Sequence, residues 1–133
     1  MITLYNAPSC TSCRKAKTWF EDYQIPYTER DIIKDPLTKE EIKQMLMRTE
    51  NGTEDLISTR SKAFKELDIN IEELPLKELI ELVEKNPAIL KRPLIADETR
   101  FQVGFNENEI RRFLPREIRA YELEKAKQEA GIV

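Results

Sequence analysis

The chain opens on a short apolar run with β-branched content, Ile2 to Tyr5, which Asn6-Ala7-Pro8-Ser9 breaks. From Thr11 onward Ala16, Trp19, Phe20 and Tyr23 recur at spacings of three and four, with Arg14, Lys15, Lys17, Glu21 and Asp22 on the other faces. That periodicity predicts an amphipathic helix ending near Gln24, ahead of Pro26. Tyr27 to Ile33 alternates as a second strand does, and a strand-helix-strand opening implies parallel pairing.

The middle has a helical texture. Thr38 followed three residues later by Glu41 is a capping signature, with Ile42, Met45 and Leu46 at helical spacing behind it. The helix so started is expected to close at Asn51-Gly52, with one of the two in a left-handed conformation. Thr53 to Ile57, Ser61 to Leu67 and Leu76 to Val83 predict three further helical pieces, the last with Leu79, Ile80 and Val83 inward. Pro93 to Ala96 then reads as a strand, Asp97-Glu98-Thr99 as a turn, and Arg100 to Phe105 as an antiparallel partner. Asn106 can cap Glu107 to Arg112, and Pro115 can open a final charged helix to about Glu129. Without repeats or a flexible linker, this pattern predicts one α/β domain over residues 1–133 with a helical insertion at about 36–90.

Composition narrows the chemistry. The chain has 133 residues, 22 basic and 25 acidic, for a formal net charge of −3, so it is no general polycation. Histidine is absent, which removes Cys-His and Ser-His nucleophilic catalysis and the commonest zinc ligand. No resident cofactor or metal is expected. The start lacks a basic, then apolar, leader, and no run approaches the roughly 20 apolar residues that span a bilayer. The expected address is the cytoplasm, with no membrane partner.

Two cysteines remain, Cys10 and Cys13, at the predicted turn from strand into helix. Free N–H groups and the positive end of the helix dipole favour a thiolate at Cys10, and Arg14, Lys15 and Lys17 add positive charge. Cys13, one turn further in, is then the resolving thiol. One pair cannot close a tetrahedral zinc site alone. The choice lies between a redox pair and two helix cysteines without a role, and the strand-to-helix setting favours the redox pair. Late in the chain, Arg92-Pro93 opens an apolar strand as a cis-proline does opposite the C-x-x-C turn of thioredoxin-like domains. On that match Arg92 lies near the cysteines, to support a thiolate or another anion. The plainer alternative is a surface arginine before an edge-strand proline.

Cys10-Thr11-Ser12-Cys13-Arg14-Lys15-Ala16, Asn51-Gly52, Ile57-Ser58-Thr59-Arg60-Ser61, Lys91-Arg92-Pro93 and the tract Val103-Gly104-Phe105-Asn106-Glu107 to Phe113-Leu114-Pro115-Arg116 resemble the Spx transcriptional regulators over nearly the whole chain. The resemblance implies the arsenate reductase-like fold, a thioredoxin-like core interrupted by helices. It implies redox-dependent transcription control of the thiol stress response through a Cys10–Cys13 switch rather than turnover. It also implies docking around Gly52 and Arg60 of the C-terminal domain of the RNA polymerase α subunit, and removal by an ATP-dependent protease with an adaptor. Docking and switching are expected at different ends of the molecule. Arsenate reductases of the same superfamily are the enzyme alternative, with a general glutaredoxin-like thiol oxidoreductase behind them. Cys10 matches their nucleophile, and Arg60 and Arg92 match two of three oxyanion-binding arginines. Phe105 stands where the third belongs. Arg111, Arg112, Arg116 and Arg119 form a basic cluster that reads either as a solvated helical face or as a contact to promoter DNA phosphates within a polymerase complex. Ala130-Gly131-Ile132-Val133 is a small apolar end that can serve as a protease handle.

Overall fold

A computed structural model describes residues 1–131. Four strands, β1 (Ile2–Asn6), β2 (Tyr27–Asp31), β3 (Leu94–Ala96) and β4 (Phe101–Val103), form one sheet in the order β2-β1-β3-β4. The first pair is parallel, with Ile2 beside Tyr27, and both later pairs are antiparallel, with Tyr5 beside Leu94 and Leu94 beside Val103. Six α-helices are described: α1 (Thr11–Asp22), α2 (Lys39–Arg48), α3 (Thr53–Leu56), α4 (Lys62–Leu67), α5 (Leu76–Lys85) and α6 (Arg116–Glu129). With the sheet, they form the α/β architecture that the sequence pattern predicts.

The period-two geometry of the strands explains the layering. Ile95 faces a cluster built from Leu4, Ala16, Phe20, Ile110 and Phe113, while its neighbour Leu94 faces a second cluster with Ile42, Leu56, Val83 and Ile89. The sheet therefore lies between α1 with the Ile110–Leu114 segment on one side and the α2–α5 region on the other. On α1 the buried stripe is Cys13, Ala16 and Phe20. Trp19 stays half-buried at its edge, its ring 4.8 Å from that of Tyr23.

Several boundaries differ from the sequence pattern for local reasons. The α2 helix ends at Arg48, because Thr49 turns extended and its hydroxyl donates to the Leu46 carbonyl. Gly52, at φ 65° and ψ −122°, consequently caps the start of α3 instead of stopping α2. Strand β2 stops at Asp31, whose carboxylate accepts from the Ile33 and Lys34 amides and bends the chain. The Asn106 side chain accepts from the Asn108 and Glu109 amides, and the turn beyond it is a 3-10 helix at Glu109–Phe113. Of the proposed protease handle, Ile132 and Val133 lie outside the described residues.

Two polar devices hold the periphery. Arg48 donates to the carbonyls of Asp97 (2.9 Å) and Arg100 (2.7 Å) at the β3–β4 turn, and Arg112 donates to that of Phe101 (3.3 Å) on the outer side of β4. At the start of α2, the Thr38 hydroxyl accepts from the Glu41 amide while the Glu41 carboxylate accepts from the Thr38 amide, a closed capping box. Arg30 of β2 donates both guanidinium ends to the same carboxylate.

The Arg30 hydrogen bonds hold the Glu41 carboxyl below its ordinary range, helped by the Thr38 amide and opposed by burial. A depressed carboxylate pKa stabilises the fold above the unfolded-state value and stops doing so as pH falls through the folded value. Thr38→Ala should lower stability by about 1 kcal/mol at neutral pH. Urea unfolding of Glu41→Gln beside the parent should show a deficit at pH 7 that shrinks on acidification; an equal deficit in acid refutes the linkage.

Candidate functional site

Strand β1 delivers the chain to a sharp turn, in which Ser9 takes a positive φ of 58°, and Cys10 then sits as the N-cap of α1 in extended conformation. Its sulfur accepts from the Cys13 amide at 3.2 Å, the position an N-cap oxygen normally fills. Cys10 and Cys13 are joined as a disulfide, with their Cα atoms 5.2 Å apart. The two sulfurs have unequal access: Cys10 is half-exposed, whereas Cys13 is 4% exposed under the helix. No acidic residue occupies the first turn of α1, and Arg14, Lys15 and Lys17 follow the bridge, so the local field favours a thiolate when the bond is open.

Arg92-Pro93 is a cis peptide at the start of β3. Because β3 runs antiparallel to β1, this start lies at the end of the sheet where β1 releases the chain toward Cys10. Cys10 and Arg92 both line one groove of about 830 Å³. The Arg92 side chain is half-buried and makes no hydrogen bond or ion pair among the described residues. Arg60 is exposed in the turn before α4 and is not part of that groove's lining. Phe105 is partly buried against the α1-side cluster and lies beside Thr11 and Arg14, with its apolar ring in a neighbouring groove.

Glu50 and Asp55, which flank Gly52, line the same groove as Cys10, so the Gly52 loop and the cysteine pair, expected at different ends of the molecule, border one groove. Asp55 accepts from the amide and the side chain of Asn51 at 2.9 and 3.3 Å and so fixes the Asn51-Gly52 loop. The Asn51 bonds also hold its carboxyl below the ordinary aspartate range. An added Cβ at Gly52 would meet nothing within 4 Å, so the glycine is demanded by its backbone angle and not by crowding.

One groove residue escaped the sequence reading. Gln102, 4% exposed, donates to the Gly104 carbonyl at 3.2 Å, and its own side-chain oxygen has no partner. The available signal was a polar residue between Phe101 and Val103, where alternation turns it to the opposite face of β4.

Residues 5–113 match the ArsC family. The chain belongs to the ArsC family. Within it, the chain is 57% identical over 128 residues to "Global transcriptional regulator Spx 1" of Oceanobacillus iheyensis, covering 96% of this chain and 98% of that protein. It is 54% identical over 131 residues to "Global transcriptional regulator Spx" of Bacillus subtilis strain 168, covering 98% of this chain and 100% of that protein. These likenesses place it in the Spx group of the ArsC family. Among solved structures, an ArsC family related protein from Bacteroides fragilis superposes with a TM-score of 0.76 at 30% identity, covering 84% of this chain and 95% of that one. The arsenate reductase from Vibrio cholerae superposes with a TM-score of 0.73 at 19% identity over 85% of this chain and 97% of that one, a likeness of fold.

The unequal access of the sulfurs has a direct readout. In the reduced protein at neutral pH, brief alkylation followed by peptide mass mapping should label Cys10 faster than Cys13 by roughly tenfold or more. Faster labelling of Cys13 would reverse the assignment of attacking and resolving thiols.

Proposed function

We propose that this ArsC-family chain is a redox-responsive transcription regulator that works by contact with the C-terminal domain of the RNA polymerase α subunit in the thiol and oxidative stress response. The observation that carries the reading is likeness at more than half of all positions, over essentially the full length, to proteins named global transcriptional regulator Spx. Cys10 and Cys13 act as the switch. Closing the bridge removes two protons and two electrons from the dithiol, which an oxidant such as a peroxide or a disulfide accepts. Arg92, held in the same groove without a partner of its own, responds to the charge lost when the Cys10 thiolate becomes a neutral disulfide.

Gly52 and Arg60 form the docking surface in this reading. The open space at Gly52 lets a partner backbone approach, and the Asp55 clamp presents the loop in one conformation. Because Glu50 and Asp55 border the groove of the disulfide, a change in sulfur charge acts close to the loop that receives the partner. Binding to promoter DNA within the polymerase complex, a cytoplasmic location, and removal by an ATP-dependent protease with its adaptor belong to the same reading. Among the described residues no helix is long and apolar enough to cross a membrane.

The enzyme alternative is disfavoured by Phe105. Loss of one bidentate arginine from an oxyanion site removes roughly 1.5 to 3 kcal/mol per charged hydrogen bond. Coupled assays should therefore show arsenate-dependent thiol oxidation at background, and robust turnover abolished by Cys10→Ser would restore the reductase reading.

Docking is tested separately. Gly52→Arg puts a long cation where the partner approaches and costs about 1 kcal/mol or more at this positive φ. The folded variant, checked by circular dichroism, should lose binding to the isolated α C-terminal domain while Cys10 and Cys13 still form their bridge. Parent-like affinity in both redox states would move the docking surface away from Gly52.

A further inference from the structure

The chain is acidic overall, with a net charge of −3, yet its cations are unevenly placed. The groove of about 1080 Å³ between the 3-10 turn at Glu109–Phe113 and α6 is bordered by Arg100, Arg111, Arg112, Arg116 and Arg119. Two acids share that border: Glu122, paired with Arg111 and hydrogen-bonded by Tyr23, and Glu109. Arg100 is paired with Asp97 at 2.6 Å, and its guanidinium stacks 5.1 Å from the Phe113 ring, so that cation is held in place. Arg116 and Arg119 are exposed on the first turn of α6 and have no ion-pair partner among the described residues. Arg112 and Glu109 also line the Cys10 groove, so the cationic border continues past Arg112 toward Arg92.

We propose that this arginine band is a sugar–phosphate contact surface, by which the protein faces duplex DNA while docked on polymerase. The assignment rests on the reading that the chain acts at a promoter. Three features select phosphate as the occupant. Every cation around the α6 groove is arginine, whose planar fork matches phosphate oxygens in pairs. The exposed members sit at i and i+3 on one helical face, within reach of neighbouring phosphates. A protein of net negative charge brought beside DNA is repelled unless its positive side is turned toward the duplex. The surface carries no sequence information, because phosphates position a protein without specifying bases.

The test uses the isotopically labelled full chain, titrated with a duplex of about 20 base pairs at about 50 and about 200 mM salt and followed by amide chemical shifts. Shifts should cluster on residues 100 and 109–120 and fade as salt rises. The double variant Arg116→Gln, Arg119→Gln, altered only at exposed positions, should weaken binding and lower the slope of log K against log salt by about 0.9 for each phosphate it no longer neutralises. The variant should still close the Cys10–Cys13 bridge and bind the α C-terminal domain. Shifts elsewhere, no shifts at low salt, or an unchanged slope in the variant would overturn the proposal. So would polyglutamate of matched charge displacing the duplex from the groove, which would mark an acidic protein segment as its occupant. Failure of the parent to bind the α C-terminal domain, with duplex shifts intact, would instead overturn the docking reading and leave the phosphate surface standing.

Discussion

The arrangement depends on β1 being hydrogen-bonded on both sides, in parallel to β2 and antiparallel to β3. Ile2 and Leu4 are buried toward α1 and Tyr5 is partly buried toward the helical side, and these contacts fix the register of β1. Antiparallel pairing then forces the exit of β1 and the entry of β3 to the same end of the sheet. Cys10 follows the first and Arg92 precedes the second. The meeting of two segments more than 80 residues apart in sequence is therefore a consequence of strand direction and needs no dedicated contact between their side chains.

Much of the fold was legible because its signals are local. The three-and-four spacing on α1, the Thr38–Glu41 box and the apolar run at Leu94 each act over a few residues. What the pattern misplaced was set by competition between local and longer-range partners. Asn51-Gly52 has the composition of a helix stop, but the Thr49 hydroxyl ends α2 three residues sooner and Asp55 claims Asn51 for the next turn. Ile32 and Ile33 have strand character, yet Asp31 folds the backbone over its own carboxylate. The pairing of chemistry at the site was readable from Cys10, Cys13 and Arg92. Its extension to the Gly52 loop was not, because that proximity is created by how α2 and α3 pack on the sheet.

Two kinds of attachment occur on the α1 side of the sheet. On the α1 side, aromatic side chains bury the helix firmly: Phe20 stands 5.2 Å from Tyr27 and 6.2 Å from Phe113. The C-terminal helix has no fully buried residue: Ile118 packs partly against the α1-side cluster, and Glu122 joins the helix to Arg111 and Tyr23. A helix attached through so few groups has a low local opening free energy compared with the sheet, so changes at α6 are felt less by the disulfide than changes in α1.

The arginines along the β3–β4 hairpin have a bearing on how copies of this chain behave at high concentration. An outermost strand ordinarily offers unpaired carbonyls to any extended segment that drifts alongside, which is how sheets grow between molecules. Here Arg112 already donates to the outward-facing carbonyl of Phe101, and Arg48 sits 5.4 Å over the Phe101 ring, so two fixed positive charges stand on the approach. A second strand would have to displace cations held from two different elements before forming its first bond. The β4 margin of this short sheet is thereby obstructed by side chains at Phe101.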